Sequence, residues 1–360
     1  MKNLTTHMTP ISGRMGRNFG AGVPPVKSVR VLAGVSGLVR EVYGERILQL
    51  AKQSIMLDIE VIEQQECFIP QIVVTEYLWE IERRAKEINI GLLAAPILSL
   101  TNFGHWGKYV LAAETLGEAL VRAAASLNYH GTGDRMQLRL EGAMARISYT
   151  HATRGRRGYS HVASGTIAVV LSILQSYLGT DYFPHRIELD VPRPQSDTLF
   201  GDTFLCPVVF DAPEISVCIE ADKLNRVSRG PARTTLITIE DVGRALAEPA
   251  GVDNYLGVVV SYIRAQVQAG TLSIESTAKA MDTSVRTLQR VLRRDNGVDF
   301  RELANVVRLR RAEELLRGTN VSITQIAMDF GYSSPANFSR AFRKASGLAP
   351  HEYRQRLLAK

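Results

Sequence analysis

The chain has only three cysteines in 360 residues, Cys67, Cys206 and Cys218. They are too few and too far apart for a disulfide scaffold or a Cys-x-x-Cys metal site, so each is expected as a small buried apolar side chain. A phosphate-binding glycine loop is missing too: "GTGDRM" at 131–136 lacks both the spacing and the flanking strand of such a motif. No His-Glu-x-x-His pair and no nucleophile elbow occurs. These absences leave no constellation for nucleotide, zinc-hydrolase or acyl-transfer chemistry, so no enzyme activity, cofactor or metal is expected. No apolar run reaches membrane-spanning length, and residues 1–28 lack the apolar segment of a signal peptide. The expectation is a cytoplasmic protein with no membrane association and a loose arm at 1–28.

Charge is present but unevenly placed. The formal net charge is +7, from 43 Lys and Arg against 36 Asp and Glu. Residues 255–360 hold 17 of the basic and 9 of the acidic residues, which leaves 26 and 27 in residues 1–254. The whole positive excess therefore lies in the last third, as a polyanion partner would require, and the remainder reads as an ordinary globular part.

At 45% hydrophobic, the chain is long enough for two domains with real cores. "YLWEIERRAKEI" (77–88) places Leu78, Ile81, Ala85 and Ile88 on one side of a helix. "TLGEALVRAAASLNYH" (115–130) opens with Thr115 and has Glu118 three residues on, a capping-box arrangement ahead of Leu120 and Ala123. "RMQLRLEGAMARISYTH" (135–151) switches to period two and reads as two strands around Glu141-Gly142. "HVASGTIAVVLSILQSYLG" (161–179) is an apolar helix, and "RIELDVPRP" and "SVCIEADKL" read as strands. The first part is thus an α+β domain over 29–225, followed by a Pro- and Gly-containing connector over 226–254 with one short helix. From Tyr255 onward only helices are expected, over 255–268, 273–281, 284–295, 299–317, 322–330 and 335–346, with a last turn or two from Pro350.

That last third contains a repeat. "SIESTAKAM" (273–281) matches "SITQIAMDF" (322–330), with Ala278 falling on Ala327. After the turn the offset grows by one, and Leu288, Arg290, Leu292, Arg293 and Gly297 fall on Phe338, Arg340, Phe342, Arg343 and Gly347. One helix-turn-helix therefore occurs twice, at 273–295 and 322–346, with the second turn one residue longer. Gly331 supplies the positive φ of the second turn, and Asp282 takes that task in the first. Ser334 caps the final helix, and Pro335 takes its first position, where a missing N–H costs nothing. In the first copy Val285, Leu288, Val291 and Leu292 form the buried stripe, and Arg286, Gln289, Arg290 and Arg293 share the opposite face. In the second, Phe338, Ala341, Phe342 and Ala345 are buried, and Asn337, Arg340, Arg343 and Lys344 face out. Such residues suit the major groove, Arg on guanine and Gln or Asn on adenine. A merely solvated helix face normally mixes charge signs for i,i+4 pairs, and these faces carry no acid before Asp295. The helix "DFRELANVVRLRRAEELL" (299–316) would space the two copies for successive turns of the groove on one side of the duplex, roughly 34 Å apart.

The arrangement resembles the C-terminal domain of the AraC/XylS family of bacterial transcription regulators over roughly 255–356. The resemblance rests on "VRLRRAEELL" and on "ITQIAMDFGYSSPANFSRAFRKASGLAPHEYR", which keeps the family's Ala-x-x-x-Gly-Tyr/Phe, Phe-Ser-Arg-x-Phe, Gly-x-x-Pro and final Tyr-Arg. It implies base contacts from Arg286, Gln289 and Arg290 in the first motif and from Ala336, Asn337 and Arg340 in the second. Ala336 departs from the longer polar residues often found there, so the second motif is expected to read fewer bases. Backbone contacts are expected from Ser284, Thr287, Arg293, Ser334, Ser339, Arg343 and Lys344. "NIGLLAAPILSLTNFGHWGKYVLAAETLGEAL" and "LFGDTFLCPVVFDAPEISVCIEADKL" resemble the non-cupin effector domain of a subset of this family. The resemblance implies an effector-responsive regulator, leaning to activation, with double-stranded DNA, RNA polymerase and a small-molecule effector as partners and self-association through 29–225. The alternatives are a ligand-independent architectural DNA binder, or a DNA-modifying enzyme with this module, which would need a zinc-holding cysteine cluster that is missing here. Elsewhere, His105-Trp106 between two glycines is expected in a packed turn, with a pocket lining as the alternative, and His151, His161 and His185 in surface or capping roles. Arg154, Arg156 and Arg157 are expected to form a solvated loop.

Overall fold

Period-two alternation in 135–150 forms a hairpin, Arg135–Glu141 with Met144–Thr150, in the register Arg135↔Thr150 to Glu141↔Met144. The two-residue connection opens with Gly142 at φ 64°, a backbone state that glycine adopts without steric cost. Ile215–Glu220 adds to the second strand antiparallel, Arg186–Glu188 adds next, and Val208–Val209 closes the edge in parallel. The computed structural model describes residues 22–86, 89–228, 237–245, 252 and 254–358.

One side of this five-stranded sheet packs on the helix Tyr159–Leu178. That helix is long and apolar enough to cross a membrane by length and composition, which corrects the expectation that no such run exists. Its apolar length is instead spent in the core, where Ala163, Ile167, Leu174 and Tyr177 are all buried. The Tyr177 hydroxyl donates to Ala113 O at 2.9 Å. Gly158 (φ 73°) starts the helix, and a Cβ there would lie 2.1 Å from Thr75 O, so the backbone of helix Gln71–Ala85 passes too close for any side chain.

The helix expected from Tyr77 starts six residues earlier, at Gln71, and ends at Ala85, with Leu78 and Ile81 buried; Ile88 lies outside the described residues. Its first turn carries no cap-forming side chain, so capping signals could not reveal the start. The Thr115 hydroxyl does accept from Glu118 N, and Glu118 Oε2 accepts from Glu114 N. The helix there runs Leu116–Ala125 and passes into a short 3-10 turn.

Two boundaries shift. Val26–Ser28, inside the expected loose arm, is a buried strand paired antiparallel with Phe68–Pro70. The connector expected from residue 226 is tied to the domain at its start: Leu116 N donates to Arg226 O and Ser228 N to Glu114 O, at 3.0 Å each. Its helix Ile239–Ala245 rests on helix Gly104–Leu111, with Val242 fully buried.

The C-terminal helices are Tyr255–Ala269, Ile274–Ala280, Val285–Asn296, Phe300–Gly318, Ile323–Asp329, Pro335–Ser346 and Pro350–Leu358. Phe300–Gly318 is closed by a complete capping box, Asp299 with Glu302. Tyr255–Ala269 is the bridge between the two halves: it packs on Phe68–Pro70 and Ile59–Ile62 on one side and on Phe300–Gly318 on the other.

Candidate DNA-reading face and ligand cavity

Each recognition helix is built by the same local devices. Ser284 Oγ accepts from Thr287 N at 3.2 Å, and Ser334 Oγ accepts from Asn337 N at 3.2 Å. Both helices end at a left-handed glycine, Gly297 and Gly347. Asp282 (φ 53°) and Gly331 (φ 70°) take the strained turn positions, and the second turn is longer by one residue.

Burial then sorts the faces. Leu288 and Leu292 are buried in the first motif, with Val285 and Val291 half-buried beside them; Arg286, Arg290 and Arg293 are exposed, and Gln289 and Thr287 partly so. In the second, Phe338 and Phe342 are buried, and Ala336, Arg340, Arg343 and Lys344 are exposed, with Asn337 and Ser339 partly covered. Ala345, expected in the stripe, is exposed, because Phe342 and the Tyr353 ring 5.4 Å from it already fill that side. Ser284 and Ser334 use their acceptor positions on the caps, and the Ser284 hydroxyl donates to Thr287 Oγ1 at 3.0 Å. Arg340 donates to Asn337 Oδ1, so two residues of the second reading face already hold each other. Arg343 lies 3.6 Å from Glu352.

The closing Tyr-Arg has a mechanical role. The Tyr353 hydroxyl accepts from Arg317 Nε at 2.9 Å, and Arg354 Nη2 donates to Val321 O at 2.6 Å, which ties the last helix across the second motif.

A second site lies in the N-terminal domain, a cavity of about 100 Å³ between helices Gln71–Ala85 and Tyr159–Leu178 and the first strand of the hairpin. Its wall is largely apolar, with Leu32, Leu98, Phe103, Trp106, Met136 and Ile173 among the lining side chains. At one end stands a buried charge pair, Lys27 with Asp134. Asp134 also accepts from Gln71 Nε2 (3.0 Å), Tyr149 Oη (2.8 Å) and Ala152 N (3.0 Å). Burial pushes the Asp134 carboxyl up, but Lys27 and His151 beside it outweigh that and hold it well below its usual range. Burial lowers the basicity of His130 and His151, the latter against the pull of the Asp134 carboxylate 3.4 Å away. His130 stacks between Phe103 and Trp106, with ring centroids 4.4 and 4.7 Å away.

Several expectations fail here, for one reason. His151 and His161 are buried cavity residues and not surface or capping groups, and Trp106 is a wall residue on a helix and not a packed turn, whereas His185 is exposed, as expected. Single-sequence spacing cannot show a cavity assembled from distant elements. The loop arginines are also partnered: Arg154 with buried Asp190 (3.0 Å), Arg156 with Asp282 (2.9 Å), and Arg157 over the Trp79 ring at 5.2 Å. All three nevertheless stay exposed, so the loop is solvated as expected, with these partners added.

The Arg156–Asp282 pair is one of several contacts between the halves. Ser276 Oγ reaches Ile55 O at 3.2 Å, Lys279 Nζ donates to Ser54 O at 3.1 Å, and Ser261 Oγ donates to Phe68 O at 3.0 Å. All of them grip the scaffold of the first motif and leave Arg286, Arg290 and Arg293 open.

Two outward basic helices joined by one long helix, beside a domain with a largely apolar cavity, fit a DNA-binding regulator with an effector-binding domain. A family model described as the arabinose-binding domain of the AraC transcription regulator, N-terminal, matches residues 49–227, and one described as a helix-turn-helix domain matches 277–356. The chain belongs to the AraC family of transcription regulators, with an effector-binding N-terminal domain and a DNA-binding C-terminal one. Among its relatives, the ornithine utilization regulator of Pseudomonas aeruginosa is 24% identical over 266 residues, 74% of this chain and 78% of that one. The transcriptional regulator VqsM of the same organism is 27% identical over 281 residues, 73% and 83% of the two chains. The solved structure of the regulator CdpR, also from P. aeruginosa, aligns over 74% of this chain and 86% of its own at 21% identity, with a TM-score of 0.34.

Proposed function

We propose that the chain is a transcription activator whose grip on DNA is set by a small molecule in the N-terminal cavity. The observation that supports this most directly is that cavity and first motif share two pieces of structure. Helix Gln71–Ala85 turns Gln71, Val74, Thr75 and Leu78 to the cavity and Ile72, Val73 and Glu76 to the first motif. The loop before helix Tyr159–Leu178 gives Thr153 to the cavity and Arg156 to Asp282. A ligand that moves either piece changes the orientation of the first motif without touching its reading face, and such differential contact is what coupling requires.

In this reading residues 26–228 sense, the following segment connects, and 255–360 reads DNA. Arg286, Gln289 and Arg290 contact bases in one major-groove turn, and Asn337, Arg340 and the small Ala336 in the next. Ser284, Thr287, Arg293, Ser334, Ser339, Arg343 and Lys344 hold phosphates. The protein acts in the cytoplasm, self-associates through the sensing domain and contacts RNA polymerase. Mapping the DNA bound in cells, then measuring the affinity of the full chain for the strongest site with and without metabolites of the adjoining operons, tests it. A metabolite that changes that affinity is expected. Unchanged affinity, with reporter output unaffected by deletion of the sensing domain, contradicts the reading.

A further inference from the structure

The family model that matches the N-terminal domain is described by a sugar, yet this cavity has the wrong chemistry for one. A sugar presents hydroxyls on every side and needs a polar partner for each, because an unpaired buried hydroxyl is costly. Here most of the wall is hydrocarbon and aromatic. A charged ligand fares no better. The ammonium of Lys27 is already spent on Asp134, and burial disfavours a charge on the imidazoles of His130 and His151, the latter 3.4 Å from Asp134, so a charged ligand meets no unpaired counter-charge at that end of the cavity.

Three polar atoms do wait for a partner. Thr153 Oγ1 and His161 Nδ1 are buried without a hydrogen bond, on side chains that line the cavity, and His151 Nδ1 is a third such atom, 3.4 Å from Asp134 Oδ2; His161 Nε2 is engaged with Glu82 at 3.1 Å. The Phe103–His130–Trp106 stack, also in the wall, offers flat aromatic surface. Native structures rarely leave such groups unsatisfied without a ligand or water to complete them. Size narrows the class further. The closed part of the cavity, about 100 Å³, is smaller than the dry apolar cavity of about 150 Å³ that accommodates benzene, so a single substituted ring fits only with part of it in the cavity mouth.

We infer that the cavity binds a compact, uncharged molecule of about one aromatic ring, carrying a hydroxyl or carbonyl that pairs with Thr153 or His161, with simple phenols as the representative class. The inference rests on the sensing role proposed above and names its ligand class. The probe is p-cresol, titrated into the full-length protein by calorimetry and thermal melting, with L-arabinose, L-ornithine and benzoate as comparators. Saturable stabilisation by p-cresol is expected, with no effect of the other three. Thr153→Val keeps the shape and removes the hydroxyl, and His161→Phe removes the free nitrogen. At least one of these should weaken p-cresol binding roughly tenfold, the scale of one lost hydrogen bond. Absence of p-cresol binding, or binding unchanged in both variants, overturns the inference. Stabilisation by arabinose, ornithine or benzoate in place of p-cresol also overturns it while leaving the sensing role standing. If p-cresol binds as described but operator affinity does not change, the ligand class is supported and the sensing role fails.

Discussion

The two helix-turn-helix copies share their caps, buried stripe and terminal glycine, yet they live in different surroundings. The first is held by the sensing domain through Ser276, Lys279 and Asp282, and its arginines stand open. The second is braced within its own domain, by Tyr332 on Asn305 (3.0 Å) and by Arg354 on Val321, and its Arg340 is tied to Asn337. The same local sequence logic therefore gives two motifs with different tasks. On the proposed function, one is placed to be steered by a ligand, and the other to anchor.

The largest expected difference between them is in base reading. Arg290→Ala should cost about 1–3 kcal/mol at its own base pair and relax preference there. Arg340→Ala should cost less, because Ala336 contributes little beside it. Affinities for single-base variants of a bound site decide this, and equal losses from the two substitutions would break the distinction.

Acid should separate the two domains next. His130 and His151 have folded-state proton affinities lowered from the ordinary 6.5 by burial, and both lie in the sensing domain. The unfolded chain therefore binds more protons below that value, and stability falls as pH drops through and below 6.5. Asp134, also lowered from its ordinary 3.8, adds stability above that value that is lost as pH falls past it. Melting followed by Trp79 and Trp106 fluorescence should shift down by a few degrees between pH 7.5 and 5.5. A melting point unchanged over that range would mean these rings are not buried and neutral.

The turns offer a smaller contrast. Gly331→Ala places a side chain at φ 70° and should destabilise by about 1 kcal/mol, visible as a lower melting temperature of the full chain. At the equivalent strained position Asp282 is kept, and it carries the Arg156 contact. Arg156→Ala should change stability by only about 0.2–1 kcal/mol, since that pair is exposed, but it should alter the ligand's effect on DNA affinity. Ligand-response curves of the variant and the parent that superimpose would remove the loop from the coupling route.

What could be read in the sequence follows the same division. The motifs are local: Ser caps, a turn with positive φ and a 3.6-residue stripe all fall within 25 positions, so the repeat, the long spacer helix and most helix ends were legible. Ala345 was misplaced because the ring that displaces it, Tyr353, comes from the next helix. The cavity was not legible. Lys27 and Asp134 are 107 positions apart and Arg156 and Asp282 are 126 apart, and no periodicity links such residues. Buried histidines look the same in sequence as exposed ones, and only the packing of helix Tyr159–Leu178 against Gln71–Ala85 tells them apart.

The central claim, that one chain reads two boxes unequally, has a direct test: the affinity of the full-length protein for every single-base variant of one bound operator. Two clusters of sensitive positions are predicted, about one helical turn (10–10.5 base pairs) apart, the stronger one losing its pattern in Arg290→Ala. A single cluster, or losses spread evenly along the site, would contradict it.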